Sequence, residues 1–428
     1  MKKTISYILT TSVAASLLCV PSTVRAAEAK DIHFLTCWNE DKDITQVVKQ
    51  LTDEYNETNP ATPVNLEIEV VAQSDMNQKL SVLAASNDLP DVFVTGTQEY
   101  IAEYVEQGIL KNIDDIIKEQ GVTSISEEDR KSILNLTKQD SLYVLPTNKN
   151  IEGFWYNKKI FEENNLDVPK TMDEFMDVCA KLKETGIQPL SCAGKEQWPI
   201  TRLIGGYATQ AGGTELLVKA NNGEISWSDP AFLEAYQWIS DMGSKGYFGE
   251  GITTVDSDTQ NSLFTTGAAA MVYNGSWFTE NLSSDQNTVG EDVGFFAFPA
   301  VENGKGVENT YTTSYGMYIC LKDETYDEAT GQWISYIMEN FGDKGMELHG
   351  WLTPYALQEE HEVGFFTQML IDAEETEGAA SVWPEYAMPT MIQDVEYQNA
   401  QLLVLGQMTP EAFGQAMDDA MTMNGLFN

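Results

Sequence analysis

The sequence predicts an α/β protein with more than one sheet-and-helix unit, on three observations. Strand-like and helix-like segments alternate along the chain. Hydrophobic residues make up 42% and charged residues 21%, close to globular averages, so an ordinary core can form. The 428 residues exceed one domain, at ~150 residues each. No internal repeat or low-complexity tract is visible.

The elements follow in order. Ile32 to Trp38 reads as a buried first strand carrying His33, and Val47, Val48, Leu51 and Tyr55 then recur at helical spacing. Val64, Leu66, Ile68 and Val70 alternate as a strand does, Met76 to Ala85 is helical, and Asp91 to Val94 is a short buried strand. Thr171 and Glu174 form a capping box, Asp229 caps a helix with Pro230 at its first position, and Thr409-Pro410-Glu411 repeats that start. Phe232, Tyr236 and Ile239 give the Pro230 helix an apolar face. Gly186, Gly246 and Gly251 mark stops or turns. Asn221-Asn222-Gly223 is a turn, with Ile225 to Trp227 expected as a short strand after it.

The first residues read as a secretory leader. Lys2 and Lys3 precede a mostly apolar stretch from Ile5 to Val20, and Val24-Arg25-Ala26 offers small residues where a signal peptidase reads, so cleavage after Ala26 is expected. Cys19 follows Leu17-Leu18, not the small residue that a lipidation site needs. No later stretch is long and apolar enough to span a membrane. The formal charge of −41 becomes −44 once Lys2, Lys3 and Arg25 leave with the leader. Such a chain repels phosphate backbones and anionic membrane surfaces, which disfavours nucleic acid and suits a neutral ligand.

Chemistry is mostly missing. The four remaining cysteines, Cys37, Cys179, Cys192 and Cys320, form no CxxC pair; they are expected as buried thiols, with a Cys179–Cys192 disulfide as the open alternative. Three histidines make no zinc-protease helix, since His361-Glu362 lacks a second His. There is no GxSxG elbow and no phosphate-binding loop. Asp256-Ser257-Asp258 begins like a calcium loop but has Asn261 and Gly267 where Gly and Glu are needed. Paired carboxylates, all that a glycosidase requires, are unavoidable by chance among 66 acidic residues.

Several segments become specific when read together. Asn59-Pro60 is followed by Gln78-Lys79-Leu80 and Ala84-Ala85-Ser86-Asn87-Asp88-Leu89-Pro90-Asp91-Val92-Phe93. Then come Tyr156-Asn157-Lys158-Lys159-Ile160-Phe161 and Pro169-Lys170-Thr171-Met172-Asp173-Glu174-Phe175. Later segments are Phe264 to Met271, Asn274-Gly275-Ser276-Trp277, Phe298-Pro299 and Gly316-Met317-Tyr318-Ile319. In this order the set resembles the family 1 extracellular solute-binding proteins of ABC transporters, the maltose-binding-protein-like group, over nearly all of the mature chain. The missing lipidation box departs from the pattern of Gram-positive relatives.

The resemblance implies a two-lobed periplasmic-binding-protein type II fold, each lobe a sheet flanked by helices. It implies a hinge of three crossings, near Pro146 to Asn150, Val272 to Asn274 and Met317 to Lys322. Lobe 1 would comprise residues 27–148 and 274–317, and lobe 2 residues 149–273 and 318–428. The function implied is the sugar- or oligosaccharide-binding component of an ABC importer, exported and extracellular or surface-associated. It would need no cofactor, metal or catalytic residue, act as a monomer, close on its ligand between the lobes and partner permease subunits. The alternatives are a binder of another small solute, such as a polyamine or metal chelate, and a secreted carbohydrate-active enzyme.

A pyranose offers a C–H face to aromatic rings and a rim of hydroxyls to amides and carboxylates. By resemblance, Trp277 is the first candidate platform, with Trp198 in a Trp-Pro segment of the second lobe. Trp38, Asn39, Glu40 and Asp41 end the first strand, where the family carries polar contacts. Thr95 and Thr97 end the Asp91 strand, where an aromatic is replaced. Asn150, with Glu152, lies at the first crossing, Asn274 precedes Trp277, Tyr315 precedes the third crossing, and Trp383 lies in a loop-like segment. Trp155, Trp238 and Trp333 sit within elements and are expected in the core.

Overall fold

The computed structural model describes residues 28–96, 98–122, 125–386 and 388–426. The expected leader, residues 1–26, and Thr97 lie outside them. Ten strands follow in order: β1 (Lys30–Thr36), β2 (Val64–Val70), β3 (Val92–Thr95), β4 (Asn150–Asn157), β5 (Gln188–Ser191), β6 (Ala269–Gly275), β7 (Val293–Phe296), β8 (Thr310–Ser314), β9 (Tyr318–Leu321) and β10 (Ala379–Ser381). They form two sheets, and this division defines two lobes.

Lobe 1 holds the four-stranded sheet β2-β1-β3-β9. β1 runs parallel to β2 and β3, and β9 is antiparallel to β3. The alternation read in Val64–Val70 pairs in register with β1, from Lys30 beside Val64 to Thr36 beside Val70. Phe34, Leu35 and Phe93 pack with Val47 and Leu51 of the helix Asp43–Glu57. The helix Glu328–His349 returns to this lobe, where Trp333 Nε1 donates to Thr52 Oγ1 at 3.0 Å. His33 is in β1 as expected, but on its exposed face beside Glu67 at 3.3 Å, because the strand alternates there.

Lobe 2 holds the six-stranded sheet β10-β8-β4-β6-β5, with β7 sharing β4's edge with β8. β4 and β6 are buried almost throughout, since helices cover both faces. On one face Phe154 meets Phe175, Tyr273 and Phe298, with ring centroids 5.0, 5.0 and 4.9 Å away. On the other, Ile151, Trp155, Phe264 and Phe278 form a second core layer. The local signals hold: the Thr171–Glu174 capping box is complete, Asp229 accepts from Ala231 N, and Thr409 accepts from Ala412 N. Ile225–Trp227 is not a strand; Trp227 instead buries its ring against Phe232 at 4.6 Å, and Asp418 holds the Trp227 amide at 2.7 Å. Cys179, Cys192 and Cys320 are buried free thiols and Cys37 is partly exposed and free.

The chain division differs from the expected one. Residues 274–317, expected in lobe 1, carry β7 and β8, which pair with β4 in lobe 2. β9, expected in lobe 2, completes the edge of lobe 1 beside β3. Val272 to Asn274 lies inside β6 and crosses nothing. An apolar strand pattern does not say which sheet a strand joins, and here the partners are chosen over more than 200 residues. The first crossing runs through Pro146–Lys149, within the expected Pro146 to Asn150; the others run through Tyr315–Met317, just before the expected Met317 to Lys322, and residues 352–364.

These crossings lie side by side. Thr147 N donates to Tyr315 O at 3.2 Å, Lys149 N to Leu352 O at 2.9 Å, and Tyr355 Oη to Pro146 O at 2.8 Å. Gly316 has φ +69, and a Cβ there would run into Thr147 Oγ1 and Asn148 Oδ1. Only glycine fits that turn without strain.

Candidate ligand-binding site

The nine tryptophans separate by burial. Trp155, Trp227, Trp238, Trp333 and Trp351 are in the core. Trp38, Trp198, Trp277 and Trp383 are partly exposed. Burying an aromatic ring is favourable, so rings left half in water mark surfaces that contact something else.

Three of the four converge on lobe 2. Trp198 starts the helix Trp198–Gly212, with Pro199 in the first turn, where its missing N–H is no loss. Trp277 sits in a 3-10 turn, Ser276–Phe278, directly after β6. Its ring lies over Gly275, where a Cβ would collide with it. The Trp198 and Trp277 rings meet edge to face, with centroids 6.1 Å apart. Trp383 lies in the loop after β10.

Arg202 ties this wall together. It lies four residues past Trp198 on the same helix, hence one turn along the same face. Its guanidinium carbon is 5.5 Å from the centre of the Trp198 ring and 5.2 Å from that of Trp383. Arg202 Nε donates to Glu152 Oε1 at 3.3 Å and Nη1 donates to Glu385 Oε2. Glu385 Oε1 accepts from Thr201 Oγ1. Glu385 and Glu152 are 5% and 3% exposed, so the ion pairs are nearly dry. Burial alone would lower the Arg202 pKa, but Glu385 and Glu152 more than reverse this, and the guanidinium stays charged. Burial pushes Glu152 above the usual carboxylate range, with Arg202 pulling against it. Glu396 is fully buried behind this network and neither of its oxygens has a hydrogen-bond partner. Burial raises its pKa well above the ordinary value and the neighbouring Glu385 adds to this.

The lobe 1 candidates lie in a loop. Trp38 follows the C-terminal end of β1, the sheet edge where open α/β sheets generally bind ligands. Asn39, Glu40 and Asp41 beyond it are exposed, and Glu40 pairs with Lys49 at 3.2 Å. Asp43 opens the following helix with φ +50. Burial pushes its carboxyl up to about 7; the Ile44 amide opposes this and Glu280 of lobe 2 adds to it.

The other expected contacts are placed differently. Thr95 is fully buried at the end of β3. Asn150 is buried, its amide shared among Asn148, Ser314 and Ser276. Asn274 is buried too; its side chain joins Asn261 at 3.1 Å and Gly275 N at 3.0 Å. Tyr315 is buried in the second crossing and its hydroxyl donates to Asp129 at 2.8 Å. These four hold the lobes and the crossings in shape and are not on the tryptophan wall. Asp256 is the cap of the helix Ser257–Thr265, accepting from Thr259 N, which explains its resemblance to a calcium loop. Among the described residues no group of three His, Cys, Asp or Glu could hold a metal ion, and no helix is long and apolar enough to cross a membrane.

Arg202, Thr201, Glu385 and Glu396 were not singled out in the sequence. One signal was present: Arg130 and Arg202 are the only arginines after the leader, against 22 lysines in the whole chain. An Arg retained one helical turn from an exposed Trp suits a planar, stacked, bidentate role that Lys cannot fill.

Residues 41–340 match the family of bacterial extracellular solute-binding proteins. The chain belongs to that family. Among its relatives, this solute-binding protein is 27% identical over 244 residues to an uncharacterized ABC transporter extracellular-binding protein of Pyrococcus horikoshii, covering 56% of this chain and 54% of that one. It is 23% identical over 301 residues to the multiple sugar-binding protein of Streptococcus mutans, covering 68% of each. The chain thus spans about half the length of the first relative and about two thirds of the second. A solved chitin oligosaccharide binding protein shares the fold, with a TM-score of 0.81 at 22% identity over 93% of this chain and 99% of that one. The two-lobed α/β architecture expected from the sequence is the architecture of this solute-binding protein and of that structure.

Proposed function

We propose that this solute-binding protein captures a sugar or oligosaccharide outside the cell and delivers it to the permease subunits of an ABC importer, without altering it. The observation that carries the reading is a continuous row of three partly exposed rings: Trp277 meets Trp198 edge to face, and the paired Arg202 lies between Trp198 and Trp383. Indole faces cover the C–H faces of pyranose rings, and such contacts need no charge on the ligand. The wall belongs to lobe 2, and the Trp38–Asp41 loop of lobe 1 offers a ring, an amide and two carboxylates for the hydroxyl rim. The relatives' names point the same way. The chain acts as an exported monomer on this reading.

A polyamine fits less well. Aromatic cages with nearby carboxylates do bind cations, but here the cation against the rings is the protein's own Arg202.

The test is titration calorimetry with maltotriose, xylotetraose, chitotetraose and raffinose, followed by chromatography of each glycan. At least one should bind with one-to-one stoichiometry and be recovered intact. Binding of spermidine but of no glycan would overturn the sugar reading, and new glycan products would overturn the absence of catalysis.

A further inference from the structure

The loop that carries Trp383 also reaches the other lobe. Pro384 packs over Gly205, where there is no Cβ to exclude it, and Asn221 Nδ2 donates to Pro384 O at 2.8 Å and Tyr386 O at 2.6 Å. Glu385 takes the Arg202 and Thr201 donors, so residues 384–386 are fixed to lobe 2 at every position. Tyr386 then leaves lobe 2. Its hydroxyl donates to Leu136 O at 2.6 Å and lies 3.2 Å from Asn135 O, both in the lobe 1 helix Glu127–Thr137. Its ring meets Trp383 edge to face at 6.0 Å. Two more bonds join the lobes nearby: Thr390 N donates to Glu99 Oε2 at 3.1 Å and Lys138 Nζ to Asn222 Oδ1 at 3.2 Å.

We infer that Tyr386 is a positioning residue for ligand capture: its hydroxyl latches the lobes closed over a ligand held against Trp383. The inference rests on the sugar-binding reading for the ligand, while the latch itself stands on the geometry. Two features distinguish Tyr386 from an ordinary interface residue. It is buried although it belongs to a loop, and it touches a partly exposed Trp of the wall on one side and a main-chain carbonyl of the opposite lobe on the other. Because the helix Glu127–Thr137 ends there, with Lys138 in a left-handed C-cap at φ +52, the Leu136 carbonyl belongs to the last turn, where carbonyls lack helical partners. The Tyr386 hydroxyl supplies that partner only while the lobes are together, so a ligand that leaves from between the lobes must first break this bond.

The test is Tyr386→Phe, which keeps the ring and removes the donor. A single neutral hydrogen bond corresponds to roughly a two- to tenfold effect. Stopped-flow displacement is run with whichever of maltotriose, xylotetraose, chitotetraose and raffinose binds the unaltered chain. Dissociation should become two- to tenfold faster, because opening no longer has that bond to break. In the ligand-free chain, hydrogen exchange of the Thr390 amide, itself an interlobe donor, should lose two- to tenfold protection. If none of the four glycans binds the unaltered chain, the sugar reading fails while exchange at Thr390 still judges the latch. A lower melting temperature with unchanged dissociation and unchanged Thr390 exchange means a merely structural hydroxyl and overturns the inference.

Discussion

Replacing Arg202 by Met tests the electrostatic account of the tryptophan wall. Met keeps the length of the stem but removes the cation that pairs with both Glu152 and Glu385 and the charge between the Trp198 and Trp383 rings. Removing one partner of a buried ion pair costs about 3–5 kcal/mol, because the remaining charge stays in a dry site. Losing the two stacked contacts adds about 0.5–1 kcal/mol each at this partial exposure. The freed carboxyls will take up protons in the folded state. Their folded pKa values rise above the unfolded ones, so stability is kept at acid pH and lost as pH rises through the folded values. The deficit of Arg202→Met should therefore be about 4–7 kcal/mol at pH 7 and clearly smaller at pH 5. Urea unfolding followed by tryptophan fluorescence at both pH values measures it. Adding Glu385→Gln should restore part of the loss at pH 7. A deficit below about 1 kcal/mol at pH 7, or one equal at the two pH values, would refute the reasoning.

Trp277→Ala should weaken binding of the captured glycan by roughly 1–3 kcal/mol, on the order of ten- to a hundredfold, with little change in melting temperature because the ring is already half in water; calorimetry and thermal melting together decide, and intact affinity with a collapsed melting temperature would move the ring into the core. Glu396→Gln should stabilise the chain at neutral pH: its raised folded pKa means that the wild-type protein loses about 1.4 kcal/mol per pH unit between the ordinary Glu value and the folded one, and the amide abolishes that slope in unfolding curves from pH 5 to 8. Gly316→Ala should cost about 1–3 kcal/mol by circular dichroism melts, since φ +69 and the contact with Thr147 and Asn148 both oppose a Cβ.

What could be read in the sequence was what a few neighbouring residues decide. The Thr171–Glu174 box, the Asp229-Pro230 start and the Thr409-Pro410 start depend only on side chains within four positions, and all three are present. The tryptophans sorted for a similar reason. Trp155, Trp238 and Trp333 lie inside a strand or helix on its apolar face and are buried, whereas Trp38, Trp198, Trp277 and Trp383 stand at element starts or in turns and are half exposed. What could not be read was pairing at long range. β9 carries the same apolar pattern whichever sheet it joins, and only the space beside β3 selects it. The polar half of the wall was only partly legible: Glu152 is a first-crossing candidate in the sequence, but Arg202 and Glu385 come from a helix and a loop 50 and 233 positions further on, and in a chain with 66 acidic residues no spacing joins them to it. Asn150 and Asn274 show the converse. Their types suit sugar hydroxyls, but each is buried among neighbours whose own polar groups need partners, and a buried amide is bonded first to what surrounds it.

The distribution of the site between the lobes bears on how closure would work. The three-tryptophan wall is anchored entirely to lobe 2: the Trp198 helix to its core through Ile200 and Leu203, Trp277 to the end of β6, and Trp383 to Asn221 and Gly205 through its neighbour Pro384. A wall so fixed cannot adapt, and on the sugar-binding reading it would orient the ligand before the lobes meet. Closure then needs contacts that exist only in the closed form, because a ligand shifts a conformational equilibrium solely through its different affinity for the two states. Among the described residues, lobe 1 groups able to supply that difference include the Trp38–Asp41 loop, which would touch the ligand, and the Leu136 carbonyl, the Glu99 carboxylate and the Lys138 ammonium, which touch lobe 2 directly. On the sugar-binding reading, the choice of ligand and the stability of the closed form would then rest on different residues. Changes on the wall should alter which glycan binds, and changes at Tyr386 should alter how long it stays.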